Sequence, residues 1–434
     1  MRKMLAQCVL AAVCTVQPIL STGAQTVPAF TIVPTPNLGS HDYLHGIAAL
    51  SPNDVWAVGY HVSGAFLNLA MHCDGTAWTI TPTPQPYPDL LKKVTAIASD
   101  NVWAIGGHGQ SYSLRWDGAQ WSNVPIPPVV NRGFVGVTNY LEDIVSTSSN
   151  DIWAVGSMDS LEGGTWTLTM HWNGTEWQQI PSPNKSAPGG SPVYTQGLRS
   201  AVALAPNDVW AVGFYLVGDD EHTLIQHWDD TQWSIVPSPD GPTGDGSLRG
   251  VSGSSPTDIW AVGEYDKPSF TVMGKALTMR WDGTNWSAFI PPNPSPWGVN
   301  PLNHVVSLAP NDAYAVGQWS TAAQGLSTYV VHWDGAGWTQ VSSENMPGFT
   351  TGWHLLHDIT KDSSGGLWTA GVKQATFGST NFTLVERSGA TAMTDTVSVT
   401  QATYLTARKK LQIAATTTAS DATLTAYVTS TNAL

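Results

Sequence analysis

The sequence has few cysteines and few charged residues. Only 3 of its 434 residues are cysteines. Two of them, Cys8 and Cys14, lie within residues 1–24, so Cys73 is the one cysteine in the rest of the chain. A single cysteine excludes a disulfide framework. Charged residues make up 12% of the chain, about half of the roughly 25% found in an ordinary soluble domain.

Basic residues are especially scarce. The chain has 18 Lys and Arg against 32 Asp and Glu, a formal net charge of -14. Nucleic acids and anionic membranes are bound by clustered Lys and Arg, so this balance argues against both partners. Hydrophobic residues make up 42% of the chain, which is too many for a disordered protein.

The N-terminus has the pattern of a secretory signal. Residues 1–3 are Met-Arg-Lys, residues 4–20 are mostly apolar, and residues 22–24 are small. We expect residues 1–24 to be a signal peptide, with an uncleaved anchor as the alternative. No later segment approaches the roughly 18 apolar residues of a membrane span. The sequence therefore predicts a secreted, extracellular protein without a membrane span in its mature form.

Tryptophan is abundant, with 21 residues, and most of it belongs to a repeat. The motif Asp-Val-Trp-Ala-Val-Gly at residues 54–59 recurs at intervals of about 50 residues. Its aromatic residues are Trp56, Trp103, Trp153, Trp210, Trp260, Tyr314 and Trp368. A leucine stands twelve residues before each, at Leu44, Leu91, Leu141, Leu198, Leu248, Leu302 and Leu356.

Each repeat holds four short strand-like runs. The first begins at the leucine, the second is the motif itself, the third ends in a sequence such as His-Trp-Asp-Gly, and the fourth begins at another Trp. Asp-Gly is a tight-hairpin signal. Four strands repeated every 40–50 residues or so are typical of β-propeller blades, and nothing has the helical period of a solenoid. We expect an all-β, seven-bladed β-propeller.

The first and last repeats predict how the propeller closes. Residues 30–36 match residues 233–239, a fourth strand, but they precede the first repeat. The seventh repeat has three strands and no Trp-containing fourth strand after Gly389. We expect the N-terminal strand to complete the last blade, which would join the two ends and remove free sheet edges.

With these repeats, the chain resembles the Kelch and galactose-oxidase type of seven-bladed β-propeller. In that family an aromatic residue and a glycine close the second strand, and a Trp opens the fourth. The resemblance covers about residues 30–390 and implies an all-β propeller domain. This chain has Val-Gly or Ile-Gly where Kelch units have Gly-Gly. The resemblance therefore concerns architecture, which does not specify function.

Residues that recur in every repeat are interpreted as scaffold. Seventeen of the tryptophans fall in repeated positions, where each ring is expected to pack between blades. Cys73 occupies one of these positions and is interpreted as a core residue. A recurring Asp at the start of the second strand and a recurring His or Arg before the third-strand Trp are expected to pair structurally.

Four tryptophans remain: Trp166, Trp297, Trp319 and Trp353. They lie in the long connections, which emerge on one face of an up-down blade. Flat rings at a groove suit the apolar face of a sugar, whose hydroxyls polar neighbours can bond. The neighbours proposed for this role are Asn303, His304 and His354. The alternative is that these Trp side chains pin the loops to the propeller.

A second candidate site lies at the channel mouth. The two positions after each first-strand leucine are often ionisable: His45, Lys92, Lys93, Glu142, Asp143, Arg199, Arg249, His304, His357 and Asp358. The first strand is innermost in a propeller, so these side chains are expected to ring the axial opening. Glu142, Asp143, His357 and Asp358 are candidates for catalytic acids or bases. No metal-spacing or phosphate-loop motif is present, so we expect no metal and no cofactor. The alternative is a divalent metal held by Asp143, Asp358 and a histidine.

The C-terminal segment, residues 391–434, is rich in Thr and lacks Trp. Its alternating runs at residues 397–399, 410–413 and 423–428 predict strands and resemble the first strands of the immunoglobulin-like domains of secreted bacterial proteins. Such a domain needs about seven strands and about 100 residues. Either the domain is incomplete here or the strands dock elsewhere.

These features favour a binding module over an enzyme. The first hypothesis is a secreted propeller that binds glycans or a cell-surface protein through the face of the long connections, as a monomer. The second is a polysaccharide lyase or glycoside hydrolase with its site at the channel mouth. The third is a protein–protein adhesion module.

Overall fold

The structure is a computed structural model. It describes residues 29–39, 41–84, 90–107, 109–186, 195–267, 274–295, 299–320, 325–344, 352–374 and 380–388, and the backbone of residues 398–405 and 410–416. In these residues every regular element is a β-strand. The expected signal peptide, residues 1–24, lies outside the described residues.

Most of the strands form seven antiparallel units of four strands each, numbered here in chain order. Units 2 to 5 are separate sheets, whereas units 6, 7 and 1 are joined into one twelve-stranded sheet by the parallel pairing of Leu326 with Trp353 and of His41 with Asn381. Unit 1 contains β2 (His41–Ser51), β3 (Asp54–Val62), β4 (Phe66–Cys73) and β5 (Trp78–Ile80). Unit 2 contains β6 (Leu91–Ala98), β7 (Asn101–Gly106), β8 (Tyr112–Trp116) and β9 (Trp121–Val124). Unit 3 contains β12 (Asn139–Ser148), β13 (Asp151–Asp159), β14 (Thr165–Trp172) and β15 (Trp177–Ile180). Between units 2 and 3 lies a hairpin of β10 (Val130–Asn131) and β11 (Phe134–Val135).

The remaining units follow the same plan. Unit 4 contains β16 (Gln196–Ala205), β17 (Asp208–Val217), β18 (Asp220–Trp228) and β19 (Trp233–Ile235). Unit 5 contains β20 (Ser247–Ser255), β21 (Asp258–Tyr265), β22 (Lys275–Trp281) and β23 (Trp286–Phe289). Unit 6 contains β24 (Leu302–Ala309), β25 (Asp312–Ser320), β26 (Leu326–Trp333) and β27 (Trp338–Val341). Unit 7 contains β28 (Trp353–Lys361), β29 (Leu367–Gln374), β30 (Asn381–Ser388) and, from the start of the chain, β1 (Phe30–Val33).

The turn between the third and fourth strands has a local cause. In unit 1 the carboxylate of Asp74 accepts hydrogen bonds from the amides of Thr76 (2.9 Å) and Ala77 (3.0 Å), and Gly75 adopts a φ of 89°. Glycine reaches positive φ without a Cβ clash, and Asp stabilises the turn through its side chain. In unit 4 Asp230 stands at the glycine position and still adopts a φ of 79°.

The two ends of the strand series meet in unit 7. β1 pairs antiparallel with β30, with Phe30 opposite Ser388 and Val33 opposite Val385. The strand that precedes unit 1 thus completes unit 7, which is the pairing that the sequence predicts. The first strands of the units also contact one another in series, and β2 contacts both β6 and β28.

The apolar core lies between units. Each of seven hydrophobic clusters combines buried side chains of two neighbouring units, and one of them joins Trp368 of unit 7 to Leu44 and Trp78 of unit 1. The motif Trp packs against two rings of the next unit: Trp56 lies 5.0 Å from Trp116 and 5.3 Å from Trp121 between ring centroids. The repeated tryptophans therefore pack between units, as the sequence predicts.

In five of the units the repeated Asp pairs with the repeated His or Arg. Asp54 accepts hydrogen bonds from Nε1 of Trp56 (3.1 Å) and pairs with Nε2 of His72 (2.9 Å). The same carboxylate–imidazole pair forms in three further units, and Arg280 pairs with Asp258 at 2.8 Å in unit 5. These pairs fix the edge of the motif strand and are scaffold. Cys73 is buried in the cluster between units 7 and 1, as expected.

The C-terminal segment contains β31 (Ser398–Leu405) and β32 (Lys410–Thr416), which pair antiparallel. The third strand expected there, at residues 423–428, lies outside the described residues. Two strands do not make an immunoglobulin-like sandwich, so that assignment stays a prediction.

Candidate functional site

The first strand of every unit contains a β-bulge one residue after its leucine. In unit 1 Leu44 pairs with Gly59, Gly46 pairs with Val58, and His45 is the extra residue between them. The other six units repeat this register shift at the corresponding position. A bulge bends its strand and re-aims side chains, and bulges occur often beside functional sites.

The glycine that ends each motif is required by this bulge. A Cβ on Gly59 would collide with the carbonyl oxygen of Tyr43, and one on Gly263 would collide with the carbonyl oxygen of Ser247. The five other motif glycines have the same close approach to the first strand. The repeated Leu and Gly of the sequence therefore encode a bulge at a fixed place in each unit.

The seven bulged residues surround one cavity of about 800 Å³, here called the central cavity. They are His45, Lys92, Glu142, Arg199, Arg249, Asn303 and His357. Tyr60, Tyr140 and Phe214 also line it. Eight of the ten ionisable residues that the sequence places at the channel mouth line this cavity, and Asp143 and Asp358 do not.

Two histidines stack on one side of the central cavity. The rings of His45 and His357 lie 4.7 Å apart between centroids and 6° from parallel. Nδ1 of His357 donates to the carbonyl of Leu44 at 2.7 Å. Burial lowers the pKa of both imidazoles, and their mutual repulsion adds to this effect at His45. Both rings are therefore held neutral, and Nε2 of His45 has no hydrogen-bond partner among the described residues.

The basic residues of the bulged set come from units 2, 4 and 5. Lys92 forms an ion pair with Glu142. Arg199 stacks on Phe214, with 4.2 Å from its guanidinium carbon to the ring centroid. Arg249 reaches Glu264 at 2.6 Å and donates to Asn303 at 3.0 Å. Burial lowers the pKa of Arg199, and the charge of Arg249 lowers it further.

Asp143 and Asp358 line a second, smaller cavity of about 220 Å³ together with Lys93 and His304. Asp143 accepts a hydrogen bond from the amide of Ala201 in the next unit at 2.9 Å.

Asp358 makes the matching bond to the amide of Ile47 at 2.9 Å, and it pairs with Lys93 at 2.7 Å and with His304 at 3.0 Å. Although burial opposes it, the charge of Lys93 and then that of His304 hold the pKa of Asp358 well below its usual range. Both carboxylates tie neighbouring units together.

The four candidate acid–base groups are therefore engaged by neighbours. Glu142 pairs with Lys92, Asp143 and Asp358 bond to backbone amides, and His357 donates to a carbonyl. Among the described residues, no group of three or more His, Cys, Asp or Glu is placed to hold a metal ion. Asp143 and Asp358 with a histidine do not form such a group.

The three spare tryptophans that the structure describes do not line the central cavity. Trp166 belongs to unit 3, where the guanidinium of Arg132 stacks on it at 4.4 Å, and it lines a separate cavity of about 500 Å³. Trp319 packs partly against the core between units 5 and 6, and Trp353 opens β28. Trp297 lies outside the described residues. A ligand contact by these rings stays a prediction, since Trp166 lies in unit 3 whereas Trp319 and Trp353 stand opposite Ser327 and Leu326 of β26.

The polar neighbours expected beside those rings separate too. Asn303 and His304 line the central cavity. His354 is 1% exposed, and burial lowers its pKa to about 4. A ligand contact by His354 does not fit this burial.

Sequence reasoning missed the aromatic wall of the central cavity. Tyr60 and Phe214 directly follow a motif glycine, and Tyr140 directly precedes a first-strand leucine. The signal was present, because both positions flank the Leu–Gly pair that forms the bulge. The sequence alone does not show that a bulge at this place turns the neighbouring side chains toward the central cavity.

Comparisons with known proteins identify the fold. The structure of YCF48 from Cyanidioschyzon merolae matches 82% of this chain and 98% of its own, with a TM-score of 0.51 and 15% sequence identity. The chain has a β-propeller fold. A structure of YCF48 bound to D1 peptide gives a TM-score of 0.49 at 16% identity over 85% of this chain and 99% of its own.

A fucose-specific lectin from Aleuria aurantia covers 71% of this chain and 97% of its own, with a TM-score of 0.45 and 15% identity. No protein-family model matches the chain, and no curated protein matches it. In the part of the chain that the structure describes, no helix is long and apolar enough to cross a membrane.

Proposed function

We propose that this propeller has seven blades, one for each unit, and is closed by β1. The pairing of β1 with β30 supports this, as does the hydrophobic cluster that joins unit 7 to unit 1. We also propose that the chain is exported, on the basis of the signal-like residues 1–24. The N-terminal sequence of protein recovered from the culture medium should begin near residue 25, and full-length protein retained in cells would contradict export.

We propose that the protein is a saccharide-binding module and that the central cavity is its site. One observation carries this proposal: all seven bulged residues open into a cavity with an aromatic wall. Its volume of about 800 Å³ falls in the range of roughly 300–1,000 Å³ that is usual for small-ligand sites.

The chemistry of the wall suits a sugar ring. Tyr60, Tyr140 and Phe214 supply apolar surface for the C–H face of a sugar. Arg, Lys, Glu, Asn and His side chains stand around them as donors and acceptors for hydroxyl groups. Small-molecule sites commonly combine an apolar lining with a few placed polar groups.

Binding is favoured over catalysis because the candidate acids and bases are engaged. A glycoside hydrolase needs two carboxylates that face the scissile bond. Here Glu142 is paired with Lys92, and Asp143 and Asp358 bond to backbone amides of neighbouring units. The lyase or hydrolase hypothesis is the second candidate and is examined in the same experiment.

A glycan array probed with the full chain tests the proposal. Saccharide binding should be lost in Phe214→Ala and kept in Phe134→Ala, a matched control whose ring is 64% exposed on the hairpin of β10 and β11. If Trp353→Ala weakens binding and Phe214→Ala does not, the site lies on the loop face instead. Release of new reducing ends that stops in Glu142→Gln would favour the enzyme hypothesis. Absence of any bound glycan would favour a protein partner.

A further inference from the structure

The central cavity is the place where this acidic protein gathers cations. The chain carries a net charge of -14. Yet three of the seven bulged residues, Lys92, Arg199 and Arg249, are basic, and Glu142 is the acidic one. Because Glu142 pairs with Lys92, Arg199 and Arg249 are the two charged residues of the bulged set that can meet a ligand.

The carboxylates behind the arginines do not fully balance them. Arg249 pairs with Glu264 at 2.6 Å, whereas Arg199 approaches Glu221 only to 3.7 Å. Lys267 uses the same two carboxylates, at 3.1 Å from Glu221 and 3.3 Å from Glu264. Three cations therefore share two anions, and one positive charge is in excess at this cluster.

The guanidinium groups also have hydrogen-bonding capacity left. A guanidinium has five N–H donors. Nε of Arg249 is buried and has no hydrogen-bond partner among the described residues. Arg199 donates to Oγ of Ser247 at 3.2 Å, while Phe214 holds the plane of its guanidinium. An anion in the cavity with several acceptor oxygens would accept from the terminal N–H groups of the two guanidiniums.

We propose that the ligand of the central cavity is an acidic saccharide whose carboxylate lies between Arg199 and Arg249. This rests on the proposed saccharide-binding function. A carboxylate is planar and accepts paired hydrogen bonds from guanidinium donors, which gives both strength and orientation. It also supplies the negative charge that the three-cation cluster lacks. The aromatic wall then meets the sugar ring to which the carboxylate is attached.

The test compares each acidic glycan with its own methyl ester. Uronate and sialate oligosaccharides are titrated into the full chain beside the esters, which keep the sugar and remove the charge. We expect the acids to bind at least about tenfold more tightly than the esters, and this difference to shrink as NaCl screens the charges.

A variant then assigns the effect to the arginines. Arg249→Gln should remove the preference, so that acid and ester bind about equally. Arg132 is a surface arginine outside the central cavity, and Arg132→Gln should keep the preference. Arg249→Lys retains the charge and should recover part of the preference. The comparison of acid and ester on the unmodified chain gives an answer even if Arg249→Gln does not fold.

The outcomes separate the two proposals. Equal binding of acids and esters would overturn the acidic ligand and leave saccharide binding intact. Binding of neutral glycans alone would do the same. If no glycan binds and a polyglutamate peptide does, both proposals fail and the partner is an acidic peptide. If none of these probes binds, both proposals fail as well.

Discussion

Glu386 offers a sharp test of the packing between units 6 and 7. Its side chain is fully buried on β30, opposite Ile32 of β1. Ser343 donates to the carboxyl oxygens at 3.0 and 2.8 Å. Burial, and then repulsion from Glu344, raise the pKa of Glu386 from 4.5 to about 8 against the opposing effects of Ser343 and Lys373. The group is therefore buried as a neutral acid below that pH.

The sign and size of the effect follow from linkage. A raised folded-state pKa gives stability that is fully present below pH 4.5 and is lost as pH rises through about 8. Each pKa unit is worth about 1.4 kcal/mol, so the loss is about 1 kcal/mol at pH 5, about 3 at pH 7 and about 5 above pH 9. Gln keeps the shape and one acceptor and cannot ionise.

Urea unfolding of the wild type and Glu386→Gln at pH 5, 7 and 9 measures this. The free energy of unfolding of the variant minus that of the wild type should increase by about 4 kcal/mol between pH 5 and pH 9. Glu176→Gln, in an exposed turn, is the control and should show no such gain. Buried His354, whose pKa falls to about 4, should destabilise both proteins as pH drops below 6.5. A constant difference between variant and wild type from pH 5 to 9 would refute the reasoning.

Two further predictions concern closure and the bulge. Phe30→Ala removes a fully buried ring that lies 6.3 Å from Tyr314, and it should cost about 3–5 kcal/mol by denaturant unfolding, against about 0.5 for exposed Phe134→Ala. A small loss for Phe30→Ala would show that β1 does not hold unit 7. Gly263→Ala forces a Cβ against a backbone carbonyl and should cost about 1–3 kcal/mol or more, whereas Gly337→Ala, with open space around it, should be nearly neutral. Equal melting temperatures for the two alanine variants would contradict the bulge argument.

The bulge separates the positions of each repeat that maintain the fold from the position that faces the central cavity. The Leu is the same in every unit because it is buried in the core, and the Gly is the same because a Cβ would collide with the first strand. The residue between the paired positions is free to vary, and it does: histidine, lysine, glutamate, arginine and asparagine all occur there. A ring of seven independent side chains on a uniform frame can be fitted to a ligand without disturbing the core.

Much of the fold could be predicted from the sequence because it repeats. Local periodicity and turn chemistry specify four strands for each unit, and the match of residues 30–36 to a fourth strand predicted the pairing of β1 with β30. These patterns involve residues close together in the chain, and each occurs in seven repeats. A repeat whose pattern is degenerate can therefore be assigned by alignment with the other repeats. The ionisable positions after each leucine were visible for the same reason.

Only the tertiary structure decided which side chains lie together. The sequence grouped the spare tryptophans, whereas the structure places Trp166 under Arg132 and packs Trp319 partly into the core between units 5 and 6. It could not show that a bulge turns one residue of each unit toward a common axis, or that Phe214 and Arg199 meet there. The positions of the strands depend on local sequence and could be predicted from it. The meeting of side chains from seven units in one cavity depends on how the units pack when the chain folds.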